Sequence, residues 1–276
     1  MAFAVGYTIA RFALLAMYWR ARKHVVETRA LVNGYLLGHG IAVALWVVSI
    51  LVPEPARFVL WAIALAIDLA TPYLMRREQA KVPLDVSHLP ERFGLFTILV
   101  LGESIAATVA GLSHHVWSAD STFTGVLALV VATSMWWLYF DNVEGMVVRR
   151  DPGQRRAWRP TVWIYSHLGI AAGLGVVAVG LEHAIVGSGQ GSFADFDRWL
   201  LVFGASLTLV SLALIHLASG TAATNRQHNE VAVARIVGSG LIVVLGLLSF
   251  MTAGGIVLAI AVTLVGTALV GVSTAG

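Results

Sequence analysis

The sequence has no cysteine among its 276 residues, and only 12% of its side chains are charged. The absence of cysteine excludes disulfides, thiolate metal ligands and a cysteine nucleophile. Soluble domains carry about 25% charged residues, so the shortage of charge excludes a soluble domain of ordinary size. Hydrophobic residues make up 58% of the chain, and the mean hydropathy is +0.81. This composition is typical of an integral membrane protein.

Motifs of known chemistry are also lacking. The sequence contains no Gly-rich phosphate-binding loop, no Gly-x-Ser-x-Gly turn and no Ser/Lys pair at a diagnostic spacing. We therefore predict neither an enzyme nor a bound cofactor. The net charge of +3 could suggest a nucleic-acid partner. The basic residues lie in short clusters between apolar runs, which is typical of cytoplasmic loops and argues against nucleic-acid binding.

Long apolar runs are the main feature of the sequence. Nine are readable, at approximately 2–19, 31–52, 58–75, 93–112, 122–141, 161–186, 199–219, 231–250 and 252–273. Most have the roughly 20 residues that a helix needs to cross about 30 Å of hydrocarbon. The sequence therefore predicts an all-α polytopic bundle of about nine transmembrane helices. It forms a single transmembrane domain over 1–276, with the lipid bilayer as its partner.

The basic residues alternate from one side of this bundle to the other. Fifteen of the 18 follow the first, third, fifth and seventh runs, with Arg226 and Arg235 counted after the seventh. The opposite loops hold only Arg57 and Arg198. By the positive-inside rule the basic side is cytoplasmic. We predict an N-terminus outside, a C-terminus inside, and a location in the inner (plasma) membrane of the cell.

Two charged residues lie deep in the early apolar runs. Arg11 is near the middle of the first run, and Asp68 lies within the third. Neither side chain reaches the nearer membrane surface easily, least of all the short Asp68. An ion pair between Arg11 and either Asp68 or Glu103 would neutralise them across helices, and the sequence does not assign the partner.

Glu103 is a carboxylate about twelve residues inside the fourth run. A lone ionisable group at that depth costs a few kcal/mol, so it usually faces protein or water and often marks function. At 100° per residue Arg92, Phe96, Leu99 and Glu103 share one stripe of the helix. We expect Glu103 in the bundle core, either as an ion, proton or substrate site or as a structural partner of a buried His or Arg.

The histidines raise the question of a metal. His39, His167, His183 and His216 lie in or near apolar runs, and with Glu103, Asp68 and Glu182 they could supply imidazole and carboxylate ligands. No pair has the i, i+3 or i, i+4 spacing of a helical metal motif. We therefore predict no metal site and expect separately hydrogen-bonded histidines.

Weaker patterns also occur in or beside the apolar runs. Asp141 and Glu144 share a face at the end of the fifth run, as a cap facing nearby arginines or as a cation-loading pair. Gly34-x-x-x-Gly38 and Gly169-x-x-x-Gly173 match the small-residue pattern of close helix packing. We interpret both glycine motifs as packing contacts.

One segment resembles a known family. It is His88-Leu-Pro-Glu-Arg-Phe-Gly-Leu-Phe-Thr-Ile-Leu-Val-Leu-Gly-Glu-Ser-Ile105. It is similar to the signature of the bacterial low temperature requirement A (LtrA) family, His-x-x-Glu-Arg-Phe-Gly-Leu-Phe-x-Ile-x-x-Leu-Gly-Glu-Ser-Ile. The matched positions include His88, Glu91, Arg92, Gly94, Gly102, Glu103 and Ser104. The resemblance implies a multi-pass inner-membrane protein linked by name to growth in the cold, and it implies no substrate.

The beginning of the chain departs from the family pattern. Family members usually open with an acidic-aromatic segment of the Glu-Leu-Phe-Phe-Asp-Leu-Val-Phe type, followed by further helices. This segment is not found here, and the first run begins almost at Met1. We expect either a truncated gene model or a shortened member, in which any function of those carboxylates is in doubt.

Three functions remain open. The leading hypothesis is transport or channel-like movement of a proton, ion or small solute. Its candidate pathway residues are Glu103, Arg92, His88, Glu91, Ser104, Arg11 and Asp68. The alternatives are a structural or assembly role without transport and a metal-dependent membrane enzyme.

Overall fold

A computed structural model describes residues 2–82, 88–113, 117–141, 158–190, 193–219 and 225–275. Their regular secondary structure is entirely helical. Contacts within the chain form two compact units, unit 1 (Met1–Leu84) and unit 2 (Asp85–Gly276), which are described separately below. That residues 1–276 form a single transmembrane domain stays a prediction.

Unit 1 is built from three long helices. Its elements are α1 (Ala2–His24), a 3₁₀ turn (Val26–Thr28), α2 (Arg29–Leu51), α3 (Ala56–Leu74) and the short α4 (Arg76–Gln79). Helix α2 packs against both α1 and α3. Three helices of this length can bury side chains only along the lines where they meet, so most of their remaining surface is exposed.

Aromatic rings fill one end of unit 1. Trp46 of α2 is buried, with its ring centroid 4.3 Å from that of Tyr7 and 5.2 Å from that of Trp61. The indole Nε1 of Trp61 donates a hydrogen bond of 2.9 Å to Ser49 Oγ, which satisfies the polar part of that ring. These contacts join α1, α2 and α3 through large, rigid side chains.

The first glycine motif lies where α2 meets α3. A Cβ added at Gly38 would overlap the Thr71 side chain, and one added at Gly34 would overlap Met75. Larger residues at either glycine would therefore push the two helices apart. The interpretation of Gly34-x-x-x-Gly38 as a packing motif is confirmed.

Unit 2 contains six long helices. They are α5 (His88–Ser113), α6 (Ala119–Phe140), α7 (Arg159–Gln190), α8 (Asp195–Ser219), α9 (Asn225–Gly246) and α10 (Ala253–Ala275). Helix α8 is the most buried, because α7 and α9 pack against it on two sides. Helix α5 contacts α6 and α7 and leaves one face uncovered.

The second glycine motif lies where α7 meets α8 in unit 2. A Cβ added at Gly173 of α7 would lie 2.7 Å from the Gly204 carbonyl oxygen of α8. Gly169 faces Ser211 of the same helix. The backbones of α7 and α8 therefore approach closely at these glycines, and Gly169-x-x-x-Gly173 is also confirmed as a packing motif.

The architecture is that of a membrane bundle. Within the described ranges, nine helices are long and apolar enough to cross a bilayer. Large apolar side chains such as Ile9, Leu99 and Val262 are exposed, as expected for surfaces that contact hydrocarbon. The prediction of an all-α polytopic bundle is confirmed, whereas the orientation of its termini stays a prediction.

Two of the arginines assigned to loops are buried within helices instead. Arg235 is near the middle of α9 and Arg198 is in the first turn of α8, and both side chains are buried. The count of basic residues between apolar runs placed both residues in loops. That assignment failed because a single charged residue does not end a helix when nearby groups supply hydrogen-bond partners for it. Arg198 bonds Asp195 and Arg235 bonds backbone carbonyls.

Candidate functional site

Three ionisable side chains meet in the interior of unit 1. Arg11 comes from α1, His39 from α2 and Asp68 from α3, each well inside its helix. His39 and Asp68 are buried, and Arg11 is partly buried. Because a helix rises 1.5 Å per residue, all three lie well away from the helix ends. Together they form the candidate site, which we call the Arg11–His39–Asp68 cluster.

One carboxylate oxygen carries the contacts of the cluster. Asp68 Oδ1 accepts a hydrogen bond from Arg11 Nη2 and lies 2.7 Å from His39 Nδ1. The second oxygen, Oδ2, is buried, and no described residue donates a hydrogen bond to it. The ion pair expected for Arg11 is therefore made with Asp68.

The imidazole of His39 links the other two groups. Its Nδ1 lies 2.9 Å from Arg11 Nη2 as well as 2.7 Å from Asp68 Oδ1. A single ring nitrogen can donate to the carboxylate or accept from the guanidinium, but it cannot do both. The presence or absence of a proton on Nδ1 therefore decides whether His39 is hydrogen-bonded to Asp68 or to Arg11.

Aromatic and small residues enclose the imidazole. The Tyr18 ring stacks on His39 at a centroid distance of 5.8 Å and an interplanar angle of 7°, and the Tyr35 ring lies 5.6 Å away. The close approach of Gly38 to Thr71 brings α2 onto α3 one residue from His39. This packing fixes the ring in front of Asp68.

The signature segment on α5 is arranged differently from the sequence expectation. Glu103 is exposed, and so are Arg92, Phe96 and Leu99 of the same stripe. The expectation that Glu103 faces the bundle core is wrong for unit 2. Ser104, the next residue, is the one that is fully buried.

Packing of small residues explains why α5 turns this way. Its buried face carries residues at helical spacing that are small or hydroxyl-bearing except for one leucine, namely Gly94, Thr97, Leu101, Ser104, Thr108 and Gly111. A Cβ added at Gly111 would meet Ile185 of α7 at 3.1 Å, so the two helices approach closely there. Small residues allow more contact between helices than the large side chains of the Glu103 stripe. That stripe is consequently left outside.

The remaining signature residues lie at the start of α5. His88 Nδ1 and Glu91 Oε2 are 3.5 Å apart, and both side chains are about two-thirds exposed. This is the i, i+3 spacing of surface pairs on a helix, which contribute little to stability. The structure thus separates the predicted site residues into Arg11 and Asp68 in unit 1 and the α5 residues in unit 2.

Outside the Arg11–His39–Asp68 cluster, the histidines of unit 2 have different partners. His167 Nδ1 lies 2.8 Å from the Trp163 carbonyl oxygen, and His183 Nδ1 lies 2.7 Å from Asp197 Oδ1. His216 Nδ1 faces His228 Nδ1 at 3.2 Å. No group of three or more His, Asp or Glu side chains suited to a metal occurs among the described residues.

Two groups in unit 2 escaped the reading of the sequence. Arg235 was counted with the loop residues and His228 was not singled out, yet Arg235 is buried in α9 beside α8. The position of Arg235 inside the apolar run 231–250 was the available signal. Of the acidic pair at the end of the fifth run, Asp141 is exposed beyond the end of α6, and Glu144 lies outside the described residues.

The helices and the buried charges together define a polytopic helical membrane protein with ionisable groups in its interior. The sequence profile described as bacterial low temperature requirement A protein (LtrA) matches residues 1–275. The chain belongs to the LtrA family.

One curated relative is an uncharacterized protein of Rhizobium meliloti (strain 1021). It is 24% identical over 149 residues, which cover 51% of this chain and 36% of the relative. The match thus spans about a third of the relative's length. No solved structure matches the chain significantly.

The opposite environments of Glu103 and Ser104 lead to a prediction for unit 2. Glu103→Gln is expected to change the thermal unfolding midpoint by less than about 2 °C, because the side chain is exposed. Ser104→Leu is expected to lower it by about 4–8 °C, because the larger side chain overfills the buried face of α5. Unfolding of the purified protein in detergent, followed by tryptophan fluorescence, measures both. The opposite order would show that Glu103 rather than Ser104 faces the interior.

Proposed function

We propose that this LtrA-family protein moves protons across the bacterial inner membrane and that Asp68 is the group that takes up and releases them. The observation that supports the proposal is the Arg11–His39–Asp68 cluster, three ionisable groups from three membrane helices with one carboxylate oxygen that no described residue bonds. Intramembrane ionisable groups often mark the path of a proton or ion. The protein carries out no enzymatic reaction in this proposal.

The geometry of the ion pair favours proton binding over a purely structural bridge. An arginine and a carboxylate that only hold helices together are best joined through both oxygens, in two parallel hydrogen bonds. Here Arg11 and His39 share Asp68 Oδ1, while Oδ2 has no hydrogen-bond donor among the described residues. Oδ2 is therefore available to accept a proton.

The composition of the cluster favours a proton over a metal cation. Hard cations such as Mg²⁺ and Ca²⁺ take about six or more oxygen ligands. The hydroxyl nearest along α3, that of Thr71, donates its hydrogen bond to the Ile67 carbonyl oxygen. A proton needs one acceptor only, and Asp68 Oδ2 provides it.

Uptake of a proton would rearrange the hydrogen bonds of the cluster. When Oδ2 of Asp68 is protonated, the carboxyl group is neutral and attracts Arg11 less. Arg11 Nη2 already lies 2.9 Å from His39 Nδ1, so the guanidinium can donate to an unprotonated Nδ1 instead. Such an exchange links the charge of Asp68 to contacts between α1 and α2, which is the coupling that a proton carrier requires.

The same ion pair also supports a second candidate, a structural role. Arg11 and Asp68 join α1 to α3. Because the two charges neutralise each other, much of the free-energy cost of placing them in the membrane is removed. In that case the cluster would stabilise the bundle without binding a proton during a cycle. Proton flux separates the two candidates.

The test is proton flux into liposomes that contain the purified full chain. A potassium gradient with valinomycin supplies the driving voltage, and a trapped pH-sensitive dye records the flux. We expect flux from the native protein and only the rate of protein-free liposomes from Asp68→Asn. Glu103→Gln, which removes an exposed carboxylate of unit 2, is the matched control and is expected to keep the native rate.

Two results would contradict the proposal. Native protein that is folded and conducts no protons would favour the structural role. Flux that survives Asp68→Asn but is lost in Glu103→Gln would place the proton site on α5, where the signature segment lies.

A further inference from the structure

A line of polar groups follows the contact between α8 and α9 in unit 2. We call it the α8–α9 seam and define it by Ser206, Leu212, His216 and Ser219 on α8 and His228, Arg235 and Ser239 on α9. Ser206 and Ser239 bond each other's carbonyl oxygens at 3.4 Å, and Arg235 bonds the Leu212 carbonyl oxygen at 3.3 Å. The two helices run antiparallel, so these contacts follow one another in a regular order.

Arg235 is the charged group of the seam. Its side chain is only 1% exposed, and its Nη2 donates a 2.9 Å hydrogen bond to the Leu138 carbonyl oxygen. No carboxylate of the described residues pairs with it within 4.0 Å. Asp141, at the end of α6, acts on its charge from a greater distance. A buried guanidinium in a membrane is ordinarily neutralised by a partner, and an anion beside Arg235 would serve as one.

Arg198 shows the usual arrangement in the same unit. It is also buried, and its Nη2 donates a hydrogen bond of 2.7 Å to Asp195 Oδ1. It adds a backbone contact to the Ser249 carbonyl oxygen at 3.3 Å. Arg198 therefore has the carboxylate that Arg235 lacks within the described residues, which makes it a matched reference.

Two donors on the α8 side of the seam are buried without a hydrogen-bond partner in the described part of the chain, namely Nε2 of His216 and Oγ of Ser219. Nε of Arg235 is also unpartnered there, as is Nε of Arg198. Leu212, His216 and Ser219 are spaced i, i+4 and i+7, so they lie on one face of α8, and Arg235 is bonded to the first of them. Unpaired buried donors are costly, so an acceptor of negative charge that reaches them would lower that cost.

The histidine pair can adopt a tautomer that fits such an acceptor. His216 Nδ1 and His228 Nδ1 are 3.2 Å apart, so one of the two nitrogens donates and the other accepts. If His228 donates, neutral His216 carries its proton on Nε2. That nitrogen then becomes a donor beside the charge of Arg235.

We infer that the α8–α9 seam binds a monovalent inorganic anion of the size of chloride, held by Arg235, His216 and Ser219. One negative charge balances the guanidinium while both imidazoles stay neutral. A phosphate dianion would exceed the charge that the seam neutralises. The site belongs to unit 2 and does not depend on proton transport by the Arg11–His39–Asp68 cluster.

The test measures anion-dependent stability of the purified full chain in detergent. Sodium gluconate is replaced by sodium chloride at constant ionic strength, and a parallel series uses sodium phosphate. A ligand that binds only the folded state raises the unfolding midpoint in a saturable way. We expect a rise of about 3 °C when chloride reaches about ten times its Kd, and a smaller effect of phosphate. The ³⁵Cl NMR line width gives an independent measure of chloride binding.

Variants locate the site. Arg235→Gln is expected to weaken chloride binding about a hundredfold or more, and Arg198→Gln is expected to leave it unchanged. Ser219→Ala removes one hydroxyl and is expected to weaken binding about two- to tenfold, even if Arg235→Gln does not fold. The inference is overturned if the native protein shows no saturable response to chloride. It is overturned equally if Ser219→Ala and every folded Arg235 variant bind chloride as the native protein does.

Discussion

Replacing Asp68 by asparagine is expected to lower the free energy of unfolding of unit 1 by about 3 kcal/mol, because it leaves the partly buried charge of Arg11 without its carboxylate. Asparagine has nearly the shape of aspartate, so the change removes charge with little change in packing. Arg11 and His39 would then both face the neutral amide of asparagine in place of a charged carboxylate oxygen. Hydrogen–deuterium exchange should report faster exchange in α1, α2 and α3, and unfolding in detergent should give the overall loss.

The double variant Arg11→Gln/Asp68→Asn is the control for this prediction. Removing both charges of a buried pair is often neutral for stability, so the double variant should recover most of the loss. It should nevertheless conduct no protons, because Asp68 is still absent. Recovery of flux together with stability would contradict the proposed role of Asp68. Failure of the double variant to recover stability would contradict the ion pair as the source of the loss.

Replacing Gly173 by leucine is expected to destabilise unit 2 by at least about 3 kcal/mol, since the new side chain would collide with the backbone of α8. A Cβ at this position lies 2.7 Å from the Gly204 carbonyl oxygen and 3.0 Å from the Thr208 nitrogen. Neither backbone atom can move aside as a flexible side chain could. Helices α7 and α8 would have to separate, which would disturb the largest core of the molecule. Unfolding in detergent and the yield of folded protein measure the effect.

Gly175 supplies a control on the same helix. A Cβ added there meets nothing within 4 Å, so Gly175→Leu has the same gain in helix propensity without the collision. We expect Gly175→Leu to be at least as stable as the native protein. If the two variants were equally destabilised, the close contact between α7 and α8 would not be the cause.

Much of the candidate site in unit 1 could be predicted from the sequence. Arg11 and Asp68 stood out because a charge in an apolar run is rare and needs a partner. The sequence could not choose between Asp68 and Glu103 as the partner of Arg11. That choice depends on which helices are neighbours, and only the packing of α2 against both α1 and α3 decides it.

Glu103 shows where the reading of the sequence was insufficient. Its depth in an apolar run indicated a buried group, but depth along a helix does not specify the direction in which a side chain points. The direction followed from the small residues of α5, which allow close contact with α7 and turn the neighbouring stripe outward. Arg235 was missed for the related reason that its buried environment is created by residues on α6 and α8.

The sequence by itself determined that this protein is a helical membrane bundle of the LtrA family, because hydrophobic run length and a local signature are properties of neighbouring residues. It also determined which charges required an explanation. Only the tertiary structure decided which of these charges meet, which are exposed and which lack a carboxylate partner among the described residues. The physical reason is that helix faces are selected by close packing between distant segments, so the partner of Arg11 lies 57 residues away in the chain.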